Sequence, residues 1–491
     1  MAELSTIFMS TIFDPAYLLV IFSGVVLGIC FGAMPGLTAP MGIAILLPLT
    51  YVFEPTMGLG MLMGLYCGAV YGGTIPAILI NIPGTPSAMM TAIEGYEMAK
   101  KGEAGKAIGF ATIASFIGGT ISVFFLIAIA PFLGRMALKF GPPEFFAVGV
   151  FGLSIIAGIT GKSLYKGVIA AAIGLFVTVI GMDPIDSTPR FTYGNINLLT
   201  GFSFVPMMVG LFGFREVLLQ VGKGHRGYRK TQAIKNIIPS FAELKENIGT
   251  MLRGSVIGTF VGALPGAGGP IAAFMSYDTT QRISKEKEKF GTGYSKGIAA
   301  SESANNAVTG GALIPLLTLG IPGDAAVAII LGALMMHDLS PGPMLFQLHG
   351  EVVTGMYISL FLANAALLFV GLLGAKMFVK ILKIPLTVLL PIIVVLCVVG
   401  SYAVNNSMFD IIVMVAFGMI GYLVTKIDIP IVPIVLGIVL GPMIEQNLRT
   451  SLLLSQGNWS VFVTRPISLT ILLITFVLLA WPYVKKYLPA R

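Results

Sequence analysis

The sequence predicts an all-α polytopic membrane protein built from two inverted-topology repeats with re-entrant hairpins and broken helices. Three observations carry this: an apolar composition, an internal duplication, and opposite loop charges in the two copies. Of 491 residues, 56% are hydrophobic and only 11% charged, and mean hydropathy is +0.92. Many apolar stretches reach the ~20 residues that a helix needs to cross a bilayer. The 60 Gly and 29 Pro suit broken, closely packed membrane helices; a barrel would alternate polar and apolar residues along its strands. The formal charge of +8 requires no nucleic-acid partner, because basic cytoplasmic loops produce such an excess in membrane proteins. Cys30, Cys67 and Cys397 stand alone in apolar segments and read as packing residues. The opening MAELSTIFMS lacks the basic region of a cleaved signal peptide.

The duplication is visible in three places. GVVLGICFGAMPG from Gly24 returns as GSVIGTFVGALPG from Gly254, with Gly24, Gly28, Gly32 and Gly36 matched by Gly254, Gly258, Gly262 and Gly266. GGTIPAILINIPGTPSA (Gly72 to Ala88) returns as GGALIPLLTLGIPGDAA (Gly310 to Ala326), and VPMMVGL at Val205 as VPIVLGI at Val432. Matches in one order are the mark of a transporter built by repetition. The glycine ladders place small residues four apart on one helix face, which close helix packing explains without a site.

Charge relates the halves. The loop Lys100–Lys106 is basic while its counterpart His337–Pro343 has no Lys or Arg; Arg282–Lys296 is basic while Tyr51–Thr56 is not. The positive-inside rule then puts equivalent loops on opposite faces, with Arg135–Lys139 and Lys376–Lys383 as one dissenting pair. The expected order is a first repeat over residues 1–222, a basic cytoplasmic linker with an amphipathic helix over 223–253, and a second repeat over 254–465. A final span and cytoplasmic tail occupy 466–491. The N-terminus is expected outside and the C-terminus inside. The two PG turns, Pro35 to Pro40 and Pro265 to Pro270, become the tips of re-entrant hairpins.

Each IPG motif breaks an apolar helix, since Pro83 cannot donate a backbone hydrogen bond and Gly84 readily turns left-handed. Thr85 suits an N-cap and Pro86 the first helical position, so a new helix begins at once. Broken backbone at membrane depth is tolerated where protein or a water-filled cavity receives its polar groups, which marks a ligand site. The competing reading is a kink filled by packing.

GAMPGLTAP, GGTIPAILINIPGTPSA, GALPGAGGP and GGALIPLLTLGIPGDAA resemble the large membrane subunit of the tripartite tricarboxylate transporters, the TctA family. The resemblance runs from about Gly24 to Gly441. It implies ion-gradient-driven carboxylate uptake across the bacterial cytoplasmic (inner) membrane, with a small membrane subunit and a periplasmic substrate-binding protein as partners. No cofactor is expected beyond a coupling ion, Na⁺ or H⁺.

A carboxylate at membrane depth needs oriented donors, and helix N-termini supply them. The substrate-binding candidates are Pro35, Gly36 and Thr38 in the first hairpin, Asn81, Gly84, Thr85, Pro86 and Ser87 at the first tip, Gly266 and Gly268 in the second hairpin, and Pro322 and Gly323 at the second tip. Where the first tip has Thr85, the second has Asp324, which would cap its own helix and repel an anion. Substrate is therefore expected at the first tip. Asn305, Asn306, Thr318 and Asp324 form a candidate Na⁺ site of hard oxygen ligands. Ser301 and Glu302 read as the polar start of a helix at the basic loop. Asp183, Asp186 and Arg190 read as an exposed loop, and Glu144 as an interfacial helix start.

Enzyme readings find little support. His225, His337 and His349 are scattered, and no HExxH occurs. Gly161-Lys162-Ser163 ends like a phosphate-binding loop, but Ile156 stands where that motif requires Gly, leaving an ion gradient as the energy source. A passive organic-anion channel on the same scaffold is the alternative.

Overall fold

The computed structural model describes residues 14–34, 36–159, 164–221, 234, 236–381 and 384–487. Helices dominate, and the described strands form one two-residue pair, β1 (Gly181–Met182) against β2 (Pro189–Arg190). Eight of the described helices are long and apolar enough to cross a membrane. This is an all-α polytopic membrane protein.

The first half opens with α1 (Pro15–Ala33), capped by the Asp14 carboxylate, which accepts from Ala16 N. A turn containing Gly36 leads back into α2 (Ala39–Thr50), where Thr38 Oγ1 accepts from Met41 N at 3.4 Å. A broken helix follows as α3 (Pro55–Gly72), α4 (Thr74–Ile80) and, past the IPG tip, α5 (Met89–Lys100). Then come the 34-residue α6 (Ala104–Ala137), α7 (Pro142–Ile159), α8 (Leu164–Thr178) and α9 (Phe204–Val221). The middle of α9 is a π-helical turn, Val209–Phe214.

The second half runs in the same order. Helix α10 (Phe241–Gly262) begins inside the expected linker, at a Ser240–Glu243 capping box. The remainder of the linker lies largely outside the described residues. Next come α11 (Gly268–Ile283), the broken helix α12 (Ser295–Gly311), α13 (Leu313–Leu319) and α14 (Ala325–Met336), and the short α15 (Pro343–Leu348). Helices α16 (Gly350–Ile381), α17 (Leu386–Asn405), α18 (Met408–Lys426) and α19 (Ile431–Leu454) complete the half, and α20 (Pro466–Tyr487) forms the final helix.

Corresponding helices make corresponding contacts. α1 packs along α3, and α10 along α12. The long helices cross over: α6 packs on α12 of the other half, and α16 on α3. The ladders explain how the paired helices come so close. A Cβ on Gly24, Gly28 or Gly32 would run into the carbonyls of Met61, Leu65 and Ala69, and one on Gly258 into that of Ala304. Such backbone-on-backbone packing replaces the hydrophobic drive that lipid does not supply between membrane helices.

Large apolar side chains face outward along these helices, among them Leu19, Phe124, Phe369, Leu373 and Leu423. Cys67 and Cys397 are buried in the apolar core, as packing residues should be. Glu144 does begin a helix: it sits in the first turn of α7 and accepts from Gly141 N at 2.8 Å while pairing with Arg465. The 181–190 loop is mostly exposed, but Asp183 is 6% exposed and holds Arg449, so the loop is pinned to α19.

Candidate transport site

Both IPG motifs break their helices with the same backbone. Asn81 and Gly320 end α4 and α13 in the left-handed region, at φ 54° and 72°. Ile82 N then bonds Pro76 O and Ile321 N bonds Pro315 O; Gly84 N bonds Gly73 O at 3.0 Å, and Gly323 N bonds Ala312 O at 3.2 Å. The left-handed turn therefore falls three residues before the expected Gly84, on Asn81, a residue type that tolerates it. Gly84 and Gly323 are needed for space. A Cβ on Gly84 would strike Gly32 O and one on Gly323 would strike Gly262 O, the last ladder glycine of each half.

The restarts differ. Asp324 Oδ1 accepts from Val327 N at 2.8 Å, and Tyr66 donates to Oδ2 at 2.5 Å. This carboxylate caps its own helix, as the sequence predicts. Thr85 has the extended backbone of an N-cap, but its hydroxyl does not cap; it lies 3.1 Å from Ser87 Oγ. Pro86 opens a 3₁₀ turn ahead of α5. Ala88 N spends its proton on Thr85 O, and the Thr85 and Ser87 hydroxyls share one hydrogen bond, which leaves one hydroxyl proton for a ligand at this tip. Both residues are buried.

The second hairpin joins the two tips. Gly266 N donates to Gly323 O at 2.7 Å. A Cβ on Gly268 would lie 3.8 Å from Asp324 Cβ, and one on Gly269 would lie 3.0 Å from Ser87 Cβ and 2.7 Å from Asn305 Oδ1. Hence Ser87, Asn305, Asp324 and the Gly266–Gly269 turn share one neighbourhood inside the protein. A cleft of about 400 Å³, lined by Asn81, Pro83, Met89, Tyr96, Glu97 and Gly291, runs from the first tip to the basic loop. A separate cleft of about 650 Å³ between α8 and α18 is lined by apolar side chains and offers an anion no donor.

A family model described as the tripartite tricarboxylate transporter TctA family matches residues 18–436. The chain belongs to the TctA family. Over 462 residues, 94% of this TctA chain, it is 38% identical to an uncharacterized 52.8 kDa protein in the TAR-I ttuC′ 3′ region of Agrobacterium vitis, covering 92% of that protein. A second protein from the same organism, in the TAR-II ttuC′ 3′ region, is 38% identical over 215 residues, 44% of this chain and 89% of its own. No solved structure matches.

The remaining predicted residues of this TctA chain scatter more widely. Pro35 lies outside the described residues. Gly36 (φ 98°) packs against Gln220 at the end of α9, where a Cβ would overlap the side-chain amide, and Thr38 caps α2. Neither is placed at the first tip. Pro322 is buried behind the second tip, and Asn81 is exposed in the cleft wall. The four candidate cation ligands do not point together. Asn306 Nδ2 donates to Ser115 Oγ at 2.7 Å, while Asn305 Nδ2 reaches Val70 O at 3.4 Å. Thr318 Oγ1 bonds its own helix at Ile314 O. The Oδ1 atoms of Asn305 and Asn306 are buried without a hydrogen-bond partner among the described residues.

Sequence reasoning passed over Glu302. It stands in the middle of the molecule with no exposed surface, not at an exposed helix start. Thr74 donates to its Oε1 at 2.7 Å, Thr91 bonds the same oxygen, and Ser115 donates to Oε2 at 3.1 Å. Glu94 on α5 is equally buried. It accepts from Tyr277 Oη and from the backbone N–H groups of Gly291, Gly293 and Tyr294, at 2.6–2.8 Å, so it fastens the basic loop to the first tip's helix. A polar SES run and a lone Glu in an otherwise apolar stretch were the available signals, since a carboxylate at membrane depth is functional by default.

Proposed function

We propose that this TctA chain is the permease subunit of a secondary-active, binding-protein-dependent carboxylate uptake system driven by an ion gradient. It would work by alternating access in the bacterial inner membrane. The observation that carries this reading is the meeting of Ser87, Asn305 and the Gly268–Gly269 turn between two broken helices. Hydroxyl donors and bare glycine backbone suit an anion there. Asp324 and the unpartnered Asn305 amide oxygen border the same turn, and their negative potential favours a cation beside the anion. The equivalent contacts of corresponding helices support a two-fold relation, and the opposed loop charges support its inversion. The uncharacterized Agrobacterium relatives add no substrate name; the family description names tricarboxylates, and dicarboxylates are included as their smaller chemical analogues.

The test is uptake of labelled citrate, and then other di- and tricarboxylates, into proteoliposomes holding this chain with its small-subunit and binding-protein partners. Accumulation against a gradient, abolished when Na⁺ and proton gradients are collapsed, is expected. Purely downhill flux would make the protein a channel. A reporter fused after Arg282 should report cytoplasmic; a periplasmic signal would overturn the inverted arrangement.

A further inference from the structure

We propose that the membrane-facing side of α10 between Lys245 and Arg253 binds the headgroup of an acidic phospholipid of the cytoplasmic leaflet. This uses the inverted arrangement proposed above, which puts the start of α10 in the cytoplasm and the turn after Gly262 near mid-membrane. Phe241, Ile248, Leu252, Val256 and Phe260 are exposed, and their spacing of four or seven residues lines them up along one side of α10. An exposed apolar stripe on a membrane helix is the side turned to lipid. Lys245 and Arg253 are exposed on that same side. Cations mixed with Phe, Ile and Leu are the mark of a helix seated at a membrane surface.

The protein leaves both charges unanswered. The carboxylates nearest them along α10 are engaged elsewhere: Glu243 pairs with Lys106 of α6, and Glu246 with Lys296 of α12 at 2.9 Å. On α11, which packs against α10, Asp278 pairs with Arg282. Among the described residues no carboxylate lies within ion-pair distance of Lys245 or Arg253. Midway between the two cations the surface is notched. Gly249 stands one turn from each, about 6 Å along the axis, and nothing lies within 4 Å of its Cβ position. Two long cationic side chains therefore flank an open patch that carries no side chain of its own.

The height of the notch suits a headgroup. Arg253 lies nine residues before Gly262, about 14 Å along the axis at about 1.5 Å per residue, and half of a bilayer's hydrocarbon core is about 15 Å thick. Arg253 therefore stands at the cytoplasmic edge of the hydrocarbon, where lipid phosphates begin. Lys245 is about 12 Å farther out, on the headgroup side. A guanidinium at that edge is costly without a counter-charge, and it holds a phosphate through two parallel hydrogen bonds. Anionic lipids of the cytoplasmic leaflet supply the charge and attract each Lys or Arg near the surface. A partner protein's helix laid on this side would have to bring carboxylates of its own to both cations. Charge complementarity thus favours the lipid, its phosphate over Gly249 and its acyl chains along Leu252, Val256 and Phe260.

The experiment is native mass spectrometry of the full chain in detergent, supplied with equal amounts of phosphatidylglycerol and phosphatidylcholine. It involves no transport, so its failure is separate from failure of the uptake reading. Wild type should prefer phosphatidylglycerol by up to about thirtyfold, each cation contributing about fivefold. Lys245→Gln combined with Arg253→Gln should bring the two lipids level. Gly249→Leu, which fills the notch and keeps both charges, should reduce the preference. Lys287→Gln removes a charge from the neighbouring loop and should leave it unchanged. Equal retention of both lipids by wild type, or an undiminished preference in the double variant or in Gly249→Leu, would overturn the proposal. So would a loss in Lys287→Gln as large as that in Lys245→Gln, since the lipid would then be reading net charge alone. A double variant that keeps its lipid preference but no longer holds the small membrane subunit would make this side a protein interface and likewise overturn it. Should the double variant not fold, Lys245→Gln decides alone: its preference should fall about fivefold, and an unchanged one overturns the proposal.

Discussion

Tyr66 donates a 2.5 Å hydrogen bond to Asp324 across 258 residues of chain, tying the first broken helix to the restart of the second. Asp324 uses both oxygens, one for Tyr66 and one for the Val327 N–H. Asn at this position keeps the cap, because Asn and Asp cap equally well. Asp324→Asn should therefore lower thermal stability in detergent much less than Asp324→Ala. The Ala change loses a cap worth about 0.5–2 kcal/mol and leaves the buried Tyr66 hydroxyl unpaired at about 1–3 kcal/mol. In transport assays Asp324→Asn should weaken ion dependence more than substrate affinity; the reverse would remove Asp324 from any cation role.

Gly84 and Gly323 have no room for a methyl group, since each faces a carbonyl of the neighbouring ladder helix. Overpacking of this kind costs typically about 1–3 kcal/mol, so Gly84→Ala and Gly323→Ala should both lower the melting temperature. Gly249→Ala is the control. Nothing lies within 4 Å of its Cβ position, and Ala in a helix is favoured over Gly by about 1 kcal/mol, so this variant should match or exceed wild type.

Ser87 and Gly269 meet where the first tip touches the second hairpin. Ser87→Ala and Thr85→Val remove donors while preserving shape, and should raise the apparent KM for uptake severalfold with protein abundance unchanged. Gly269→Ala inserts a methyl between Ser87 and Asn305 and should depress the maximal rate more than either. Unaltered kinetics in all three would move the substrate away from this junction.

Outside the membrane spans, the N–H groups of Asp186 and Ile185, together with the Arg449 guanidinium, hold the Asp183 carboxyl far below the usual carboxylate range. A lowered folded-state pKa gives stability that is present above about pH 4, the value in the unfolded chain, and is lost as pH falls toward the folded value. Asp183→Asn should therefore lower the melting temperature near neutral pH. The gap to wild type should close as the sample is acidified through and below pH 4. A gap that widens on acidification would contradict this account.

Much of the scaffold was legible because its signals are local. Apolar runs, glycine ladders and the IPG breaks each act through neighbouring residues, and Asp324 caps α14 because an N-cap is a three-residue event. The hairpin turns at Gly36 and Gly266–Gly268 likewise follow from glycine's access to positive φ. At the first tip the left-handed residue is Asn81, a local matter, whereas Gly84 is needed for space against Gly32 O, a contact between distant segments.

What the sequence determined by itself was the class of molecule, its duplication and where its helices break, since these depend on composition and on contacts a few residues apart. What only the tertiary structure decided was which polar groups share an environment. Glu302 looks like a helix start until α3, α5 and α6 bring Thr74, Thr91 and Ser115 around it, from 187 to 228 residues away. Asn305 and Asn306 are adjacent in sequence yet point to different helices, because successive positions on a helix lie about 100° apart. Burial and partners are set by packing between distant segments, and that information exists only once the chain has folded.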